Sequence, residues 1–220
     1  MFNLRLDNEA LLTELALTFP FGSFADFGRR LSHQYEEAFR VISSDTSVRE
    51  ADKSVTIGQL RRAKVNSMLH NFATDCGWNP RDVKMGKGKD NHVEVYAGRL
   101  VITCHHLAIG QKLPKTTKYL EQNWELNDAL DQKELFQLED IKSTAPSCKN
   151  FNLLIHHTTD PENCAQVGTI DFVFPTESNT IAKFSIIDTI GHQAKLESLP
   201  EQDLIILKKR FNRFQGGERA

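Results

Sequence analysis

Eight histidines are spread through this chain of 220 residues, and four of them form two adjacent pairs, His105-His106 and His156-His157. Each pair ends an apolar, β-branched run. Neighbouring side chains on a strand point to opposite faces, so each pair would offer one ring inward and one outward. Imidazole transfers protons near neutral pH and binds zinc when neutral. If the two strands lie close together, Cys104, His105 and His156 would form a cluster suited to a general base or a metal ligand. The four cysteines (Cys76, Cys104, Cys148 and Cys164) include no C-x-x-C pair, and neither they nor the histidines follow a zinc-ligand spacing. The expectation is free thiols in a reducing compartment, no metal and no cofactor.

A second chemical feature is a run of positive charge. Residues 79–118 carry eight cations (Arg81, Lys84, Lys87, Lys89, Arg99, Lys112, Lys115, Lys118) against three acids, Asp82, Asp90 and Glu94. Within it, Lys84-Met85-Gly86-Lys87-Gly88-Lys89 could bring backbone N–H groups and ammonium groups to a phosphate, or could be a solvated hairpin loop. The P-loop pattern is absent. With Arg61 and Arg62 added, these cations are the candidate phosphate or nucleic-acid surface, although the net charge of −2 gives the whole chain no polyanion preference.

A metal-dependent nuclease of the restriction-enzyme type needs an acid on one strand and Glu-x-Lys on the next, to hold a cation and place an ammonium group by the attacking water. Asp171 and Lys183 are spaced for this, but Ile181 stands where Glu is required. Glu94 is followed two positions later by Tyr96. The pattern is broken in both places. G-x-S-x-G, H-E-x-x-H and G-x-G-x-x-G are also absent.

The elements that must hold these groups suggest a single α+β domain over residues 1–220. Residues 1–77 read as helical. Leu11, Leu12 and Leu15 mark a helix ending before Pro20. Phe24, Phe27, Leu31, Tyr35, Ala38 and Ile42 form an amphipathic stripe. The polar stretch 43–56 reads as a loop, and a third helix carries Leu60, Val65, Met68, Leu69 and Phe72 inward, with Arg61, Arg62 and Lys64 outward and Gly77 as its stop. Residues 90–190 read as mainly β: a hairpin over 92–104 turning at Ala97-Gly98, then strands at 152–156, 167–174 and 181–188. A helix is expected between them at 115–132, burying Tyr119, Leu120, Trp124, Leu126 and Leu130. Ser198-Leu199-Pro200-Glu201 is a capping box for an amphipathic helix over 198–214 bearing Leu204, Leu207, Phe211 and Phe214. Helices first, then strands, then a last helix imply an antiparallel sheet packed against helices.

Between residues 60 and 190 the chain resembles an uncharacterised bacterial family encoded on mobile elements beside helix-turn-helix regulators. The resemblance begins at Arg61-Arg62-Ala63-Lys64-Val65-Asn66. It continues through Asn91-His92, His105-His106-Leu107, Tyr119-Leu120-Glu121-Gln122 and the strand Ile170-Asp171-Phe172-Val173-Phe174-Pro175. It departs where the family's Phe-Lys-Lys-Leu is here Cys104-His105-His106-Leu107. The resemblance implies a setting: one member of a toxin–antitoxin or phage-defence pair, bound by a neighbouring antitoxin or regulator. It adds Asn66, His92, Gln122 and Asp171 to His105, His106, His156 and His157 as polar site candidates.

Two functional expectations follow. The first is a toxin or effector that acts on nucleic acid or nucleotide through the basic surface and is neutralised by a protein partner. The second is a non-catalytic interaction protein that binds a regulator. No run approaches the roughly 18 apolar residues of a membrane span. The first 17 residues carry Asp7, Glu9 and Glu14, unlike a signal or transit peptide. The expected location is cytoplasmic, with no membrane partner.

Overall fold

The structure, a computed structural model, describes residues 8–84, 91–108, 111, 123–127, 151–176 and 180–205. Three helices come first: α1 (Asn8–Thr18), α2 (Ser23–Ser44) and α3 (Glu50–Asp75). Every apolar position expected on α2, from Phe24 through Ile42, is buried. On α3 Val65, Met68, Leu69 and Phe72 face inward as the spacing predicts, but Leu60 is only half-buried, and Ile57 and Arg61 are buried instead. Gly77 follows that helix at φ 74, a left-handed conformation that glycine adopts without a Cβ clash.

The expected loop at 43–56 is much shorter. Asp45 accepts hydrogen bonds from the Ser47 backbone and hydroxyl at 2.8 and 2.6 Å, which turns the chain, and α3 starts at Glu50. Of the polar residues that suggested a loop, Ser43 and Ser44 end α2, Asp45, Thr46 and Ser47 make the turn, and Asp52, Lys53, Ser54 and Thr56 belong to the first turns of α3. Glu50 and Asp52 sit in its first turn, where acids complement the helix dipole.

Six strands form one sheet in sequence order: β1 (Asn79–Lys84), β2 (Asn91–Ala97), β3 (Leu100–His106), β4 (Phe151–Thr159), β5 (Val167–Pro175) and β6 (Thr180–Ser185). The sheet is mixed, which corrects the antiparallel expectation. The pairs β1–β2, β2–β3, β4–β5 and β5–β6 are antiparallel, whereas β3 and β4 run parallel. A parallel neighbour needs a long crossover, and the sequence supplies one in residues 107–150. The edge strand β1 was not anticipated, because Pro80, Arg81 and Asp82 give it no apolar alternation.

Beyond β6 the chain also departs from expectation. Ile186, Ile187 and Asp188 read as the end of the strand expected at 181–188, yet they open a helix, α4 (Ile186–Glu197). The Ser185 hydroxyl accepts the Asp188 N–H, and the Asp188 carboxylate accepts the Ser185 N–H, a reciprocal capping box that fixes the helix start. Ser198 instead donates its hydroxyl to the Lys195 carbonyl, at the end of α4. A helical run at 201–205 follows; the expected Leu207, Phe211 and Phe214 lie outside the described residues.

Helices α1–α4 cover one face of the sheet. Its core there includes Phe24, Phe27, Tyr35, Phe72, Val95, Ile102, Leu153, Ile155, Phe172 and Phe174. Gln193 ties α4 to the α1–α2 link by donating to the carbonyls of Ala16 and Phe19 at 3.1 and 3.0 Å. The opposite face carries the short helical run 123–127. Buried Asn127 donates to the carbonyls of Asn152 and Pro175 at 2.8 and 2.7 Å and accepts the Asn152 N–H at 2.8 Å. Trp124 is buried, as expected. Tyr119, Leu120 and Leu130 lie outside the described residues, and Leu126 is half-buried.

Candidate functional site

The condition set by the sequence is met: the two histidine-bearing strands are neighbours. In the parallel β3–β4 register, His105 pairs with His156 and His106 with His157. Alternation then sends the four rings to two faces, and each face makes a different site.

On the helix-covered face His157 is built into the core, whereas His106 at the strand end is exposed. The Tyr35 hydroxyl lies 2.6 Å from His157 Nδ1, and His106 Nε2 lies 2.9 Å from Thr159 Oγ1. Arg61 belongs to this network. Its guanidinium lies 4.1 Å from the Tyr35 ring centroid and donates to Thr159 Oγ1 at 2.7 Å and to the Cys164 carbonyl at 2.9 Å. Arg61 is 7% exposed, so it is not the surface cation the helical spacing suggested. Its position follows from α3 crossing the sheet beside Tyr35. Burial holds the His157 imidazole well below its usual pKa, with further lowering by His106, His105 and Arg61, so it is neutral at pH 7.

The opposite face carries a polar row. Asp171 pairs with His156 across β4–β5, His156 pairs with His105, and the antiparallel β2–β3 register continued from Val95–Ile102 brings His92 opposite His105. His92, His105, His156 and Asp171 thus occupy one line across four consecutive strands. Carboxylates stand at both ends. Glu94 is 8% exposed and accepts hydrogen bonds from His92 Nε2 at 3.2 Å, Tyr96 at 3.1 Å and Asn123 at 3.2 Å. The His92 bond is the main reason its carboxyl is held below the usual range, outweighing burial. At the other end Asp171 pairs with Lys183 at 2.9 Å.

Between these carboxylates the imidazoles of His105 and His156 are neutral at pH 7. Burial pushes His105 down to about 3, and His92, His156 and Arg62 lower it further. Burial pushes His156 down to about 4; Asp171 opposes that shift and Lys183 adds to it. His105 is half-buried and is the more open of the two. His156 is 5% exposed, and its Nε2 has no hydrogen-bond partner among the described residues. The same holds for the hydroxyl of fully buried Thr103, which points to the same face one row below. The row therefore offers unprotonated nitrogens and an unused hydroxyl beside a carboxylate-backed imidazole, an arrangement fit for proton transfer.

The remaining candidates divide by position. Asn66 donates to the Asn91 carbonyl at 3.2 Å, Lys84 pairs with Asn91 across β1–β2, and Arg62 lies one turn before Asn66 on α3. Arg62 and Lys84 are both exposed. They flank the end of the sheet where His92 and His105 sit. Arg99 stands at the far end of β3, about 20 Å away along the strand, with its guanidinium 4.3 Å from the Phe151 ring centroid. Lys87, Lys89, Lys112, Lys115, Lys118 and Gln122 lie outside the described residues. Cys104 points to the helix side, so it does not join His105 and His156. Burial raises its thiol to about 12. Among the described residues no group of three or more His, Cys, Asp or Glu side chains is arranged to hold a metal ion. Sequence reasoning passed over Glu94 and Tyr35 as site residues. Glu94 carried a readable signal, since it stands two positions after His92 on a strand and must share its face.

Comparison with family models, curated proteins and solved structures finds no match to this chain. Its fold class is α+β, with a six-stranded mixed sheet between N-terminal helices and a following helix. Among the described residues no helix is long and apolar enough to cross a membrane.

Proposed function

We propose that this chain is the toxin or effector component of a bacterial toxin–antitoxin or phage-defence module, acting on nucleic acid or nucleotide at the row His92, His105, His156 and Asp171. The observation that carries the chemical part is the pair of neutral imidazoles in register, flanked by Glu94 and by Asp171 with Lys183. Buried polar side chains cost stability unless satisfied, and a row of them on a sheet face is a common consequence of function. Arg62 and Lys84 supply the cations that would bring a phosphate to the more open His105. The neutralising protein partner is drawn from the resemblance over residues 60–190.

Induced expression in a bacterial host tests the reading. The intact chain is expected to arrest growth, co-expression of the neighbouring regulator to restore it, and a His105→Ala/His156→Ala chain that still folds to be harmless. Harmless expression of the intact chain at high level in its native host would refute the effector reading.

A second reading, a non-catalytic protein that binds a regulator, is favoured by exposed apolar residues on α4: Ile187 is 77% and Ile190 38% exposed. Under it, growth is unaffected, and Ile187→Asp abolishes regulator binding while the histidine substitutions leave it intact.

A further inference from the structure

Helix α4 buries one side and presents the other to solvent. Thr189, Gln193 and Leu196 are its buried residues. At 3.6 residues per turn, Ile187, Gly191 and Ala194 fall on the opposite side, with Ile190 beside them. Ile187 is 77% exposed, Ile190 is 38% exposed, and Gly191 and Ala194 are exposed as well. Phe21, 45% exposed, stands in the α1–α2 link that is bonded to Gln193, so apolar surface continues beside the helix. Nothing among the described residues requires glycine at 191. Its φ is not left-handed, and a Cβ there would meet no atom within 4 Å. Glycine inside a helix costs stability relative to alanine. What it permits in return is the close approach of a second backbone.

We infer that the outward face of α4 is a homodimer surface, on which α4 of a second copy packs antiparallel about a two-fold axis at Gly191. The occupant follows from the way the face complements itself. Asp188 and Lys195 lie on one flank, in the first and last turns. A two-fold at Gly191 brings each Asp188 beside Lys195 of the other copy, and makes that contact twice. The Ser185 bonds use Asp188 Oδ2, which leaves Oδ1 available to the ammonium group. The same axis sets the large Ile187 of each copy over the small Ala194 of the other. The two Gly191 residues then stand at the crossing, where the backbones are closest. An unrelated protein needs neither opposite charges at the two ends of one flank nor a large-to-small order that reads the same from both ends. A two-fold interface needs both. The inference goes beyond the two readings above, neither of which sets an oligomeric state. A single helix pair bordered by Phe21 is expected to bury less than the roughly 1,200–2,000 Å² of a standard interface, so the dimer is a weak one with a micromolar dissociation constant.

The test is sedimentation of the purified full chain under reducing conditions, at concentrations spanning the micromolar range. The expected result is a mass that rises with concentration from the 25.0 kDa of the monomer towards twice that value. Ile187→Asp buries an unpaired charge, and Lys195→Glu sets like charges against Asp188; each should raise the dissociation constant about tenfold or more. Lys195→Arg keeps the charge and should leave it near the original. Gly191→Cys should give a covalent dimer under a mild disulfide-forming oxidant, since Cα atoms within about 7 Å can be bridged. Gln59→Cys, at an exposed position on α3, should not exceed the background that the exposed Cys164 gives in the unaltered chain. A chain that stays monomeric throughout, a dimer indifferent to both Ile187→Asp and Lys195→Glu, or Gly191→Cys linking no faster than Gln59→Cys would each overturn the inference. Sedimentation of the unaltered chain needs no variant, so it stands even if a substitution disturbs the fold. A monomer that binds the regulator through Ile187 would overturn the dimer and leave the second reading in place. Growth arrest is read in a separate assay, so the effector proposal and the dimer can fail independently.

Discussion

The neutral imidazoles of His105 and His156 make the fold sensitive to acid, and the size of the effect can be worked out. In the unfolded chain each ring titrates near 6.5; in the fold they are pushed down to about 3 and about 4. A base whose folded value is depressed binds more protons when unfolded, so stability falls as pH drops below 6.5 and continues to fall until the folded values are reached. Between pH 6.5 and pH 5, still above both folded values, each ring loses about 1.5 units at about 1.36 kcal/mol per unit, or about 2 kcal/mol. The pair together contributes a loss of about 4 kcal/mol, a large part of the roughly 5–15 kcal/mol of a typical domain. The perturbation is His105→Gln/His156→Gln, which keeps polar side chains and removes the titration. Urea unfolding at pH 7 and pH 5 measures it. The unaltered chain should lose about 4 kcal/mol more than the double variant over that interval. Groups distant from the pair affect both proteins alike, so they cancel in the comparison. An equal pH dependence in the two proteins would mean that the row is solvated and protonates normally, and the neutral-imidazole argument would fail.

Two further outcomes are expected. Asn127→Ala removes three hydrogen bonds and leaves two buried carbonyls and one N–H without that partner; at about 1–3 kcal/mol for each lost partner, thermal unfolding should fall by about 6 °C or more, at roughly 2–4 °C per kcal/mol for a chain of this size. In titrations against duplex DNA, Arg62→Ala and Lys84→Ala should each flatten the log–log salt slope by up to about 0.9, whereas Arg99→Ala at the far end of β3 should leave it unchanged; equal effects at all three positions would mean there is no localised basic surface.

Periodicity made the helical third and the inner strands legible, because burial repeats there every three to four residues or every two. The α2 stripe from Phe24 to Ile42 and the strands around 95, 102, 155 and 172 are in this class. What was hidden depended on contacts distant in sequence. The parallel β3–β4 pairing is set by the crossover, to which local pattern is blind. Arg61 on α3 looked like a solvent-side cation until Tyr35, Thr159 and the Cys164 carbonyl supplied its partners. The β-branched Ile186-Ile187 pair outweighed, on propensity, the Ser185–Asp188 cap that makes a helix there. For the site, the histidine pairs and Asp171 were legible as types. Their convergence into one row was not, since it needs the register of four strands.

The single parallel pairing in the sheet also has a consequence for how the molecule matures. Strands β1–β3 and β4–β6 are two antiparallel meanders, each able to form from local contacts, and among the described residues they pair along β3–β4. The central histidine pair straddles that seam, one ring contributed from each side. Non-local pairing of this kind carries the entropy of closing a long loop and forms late. A growing or half-assembled chain can therefore hold both meanders and still lack the adjacent imidazoles. The row comes into being at the closing step of folding, and whatever prevents the two halves from joining leaves it unassembled without touching a single one of its residues.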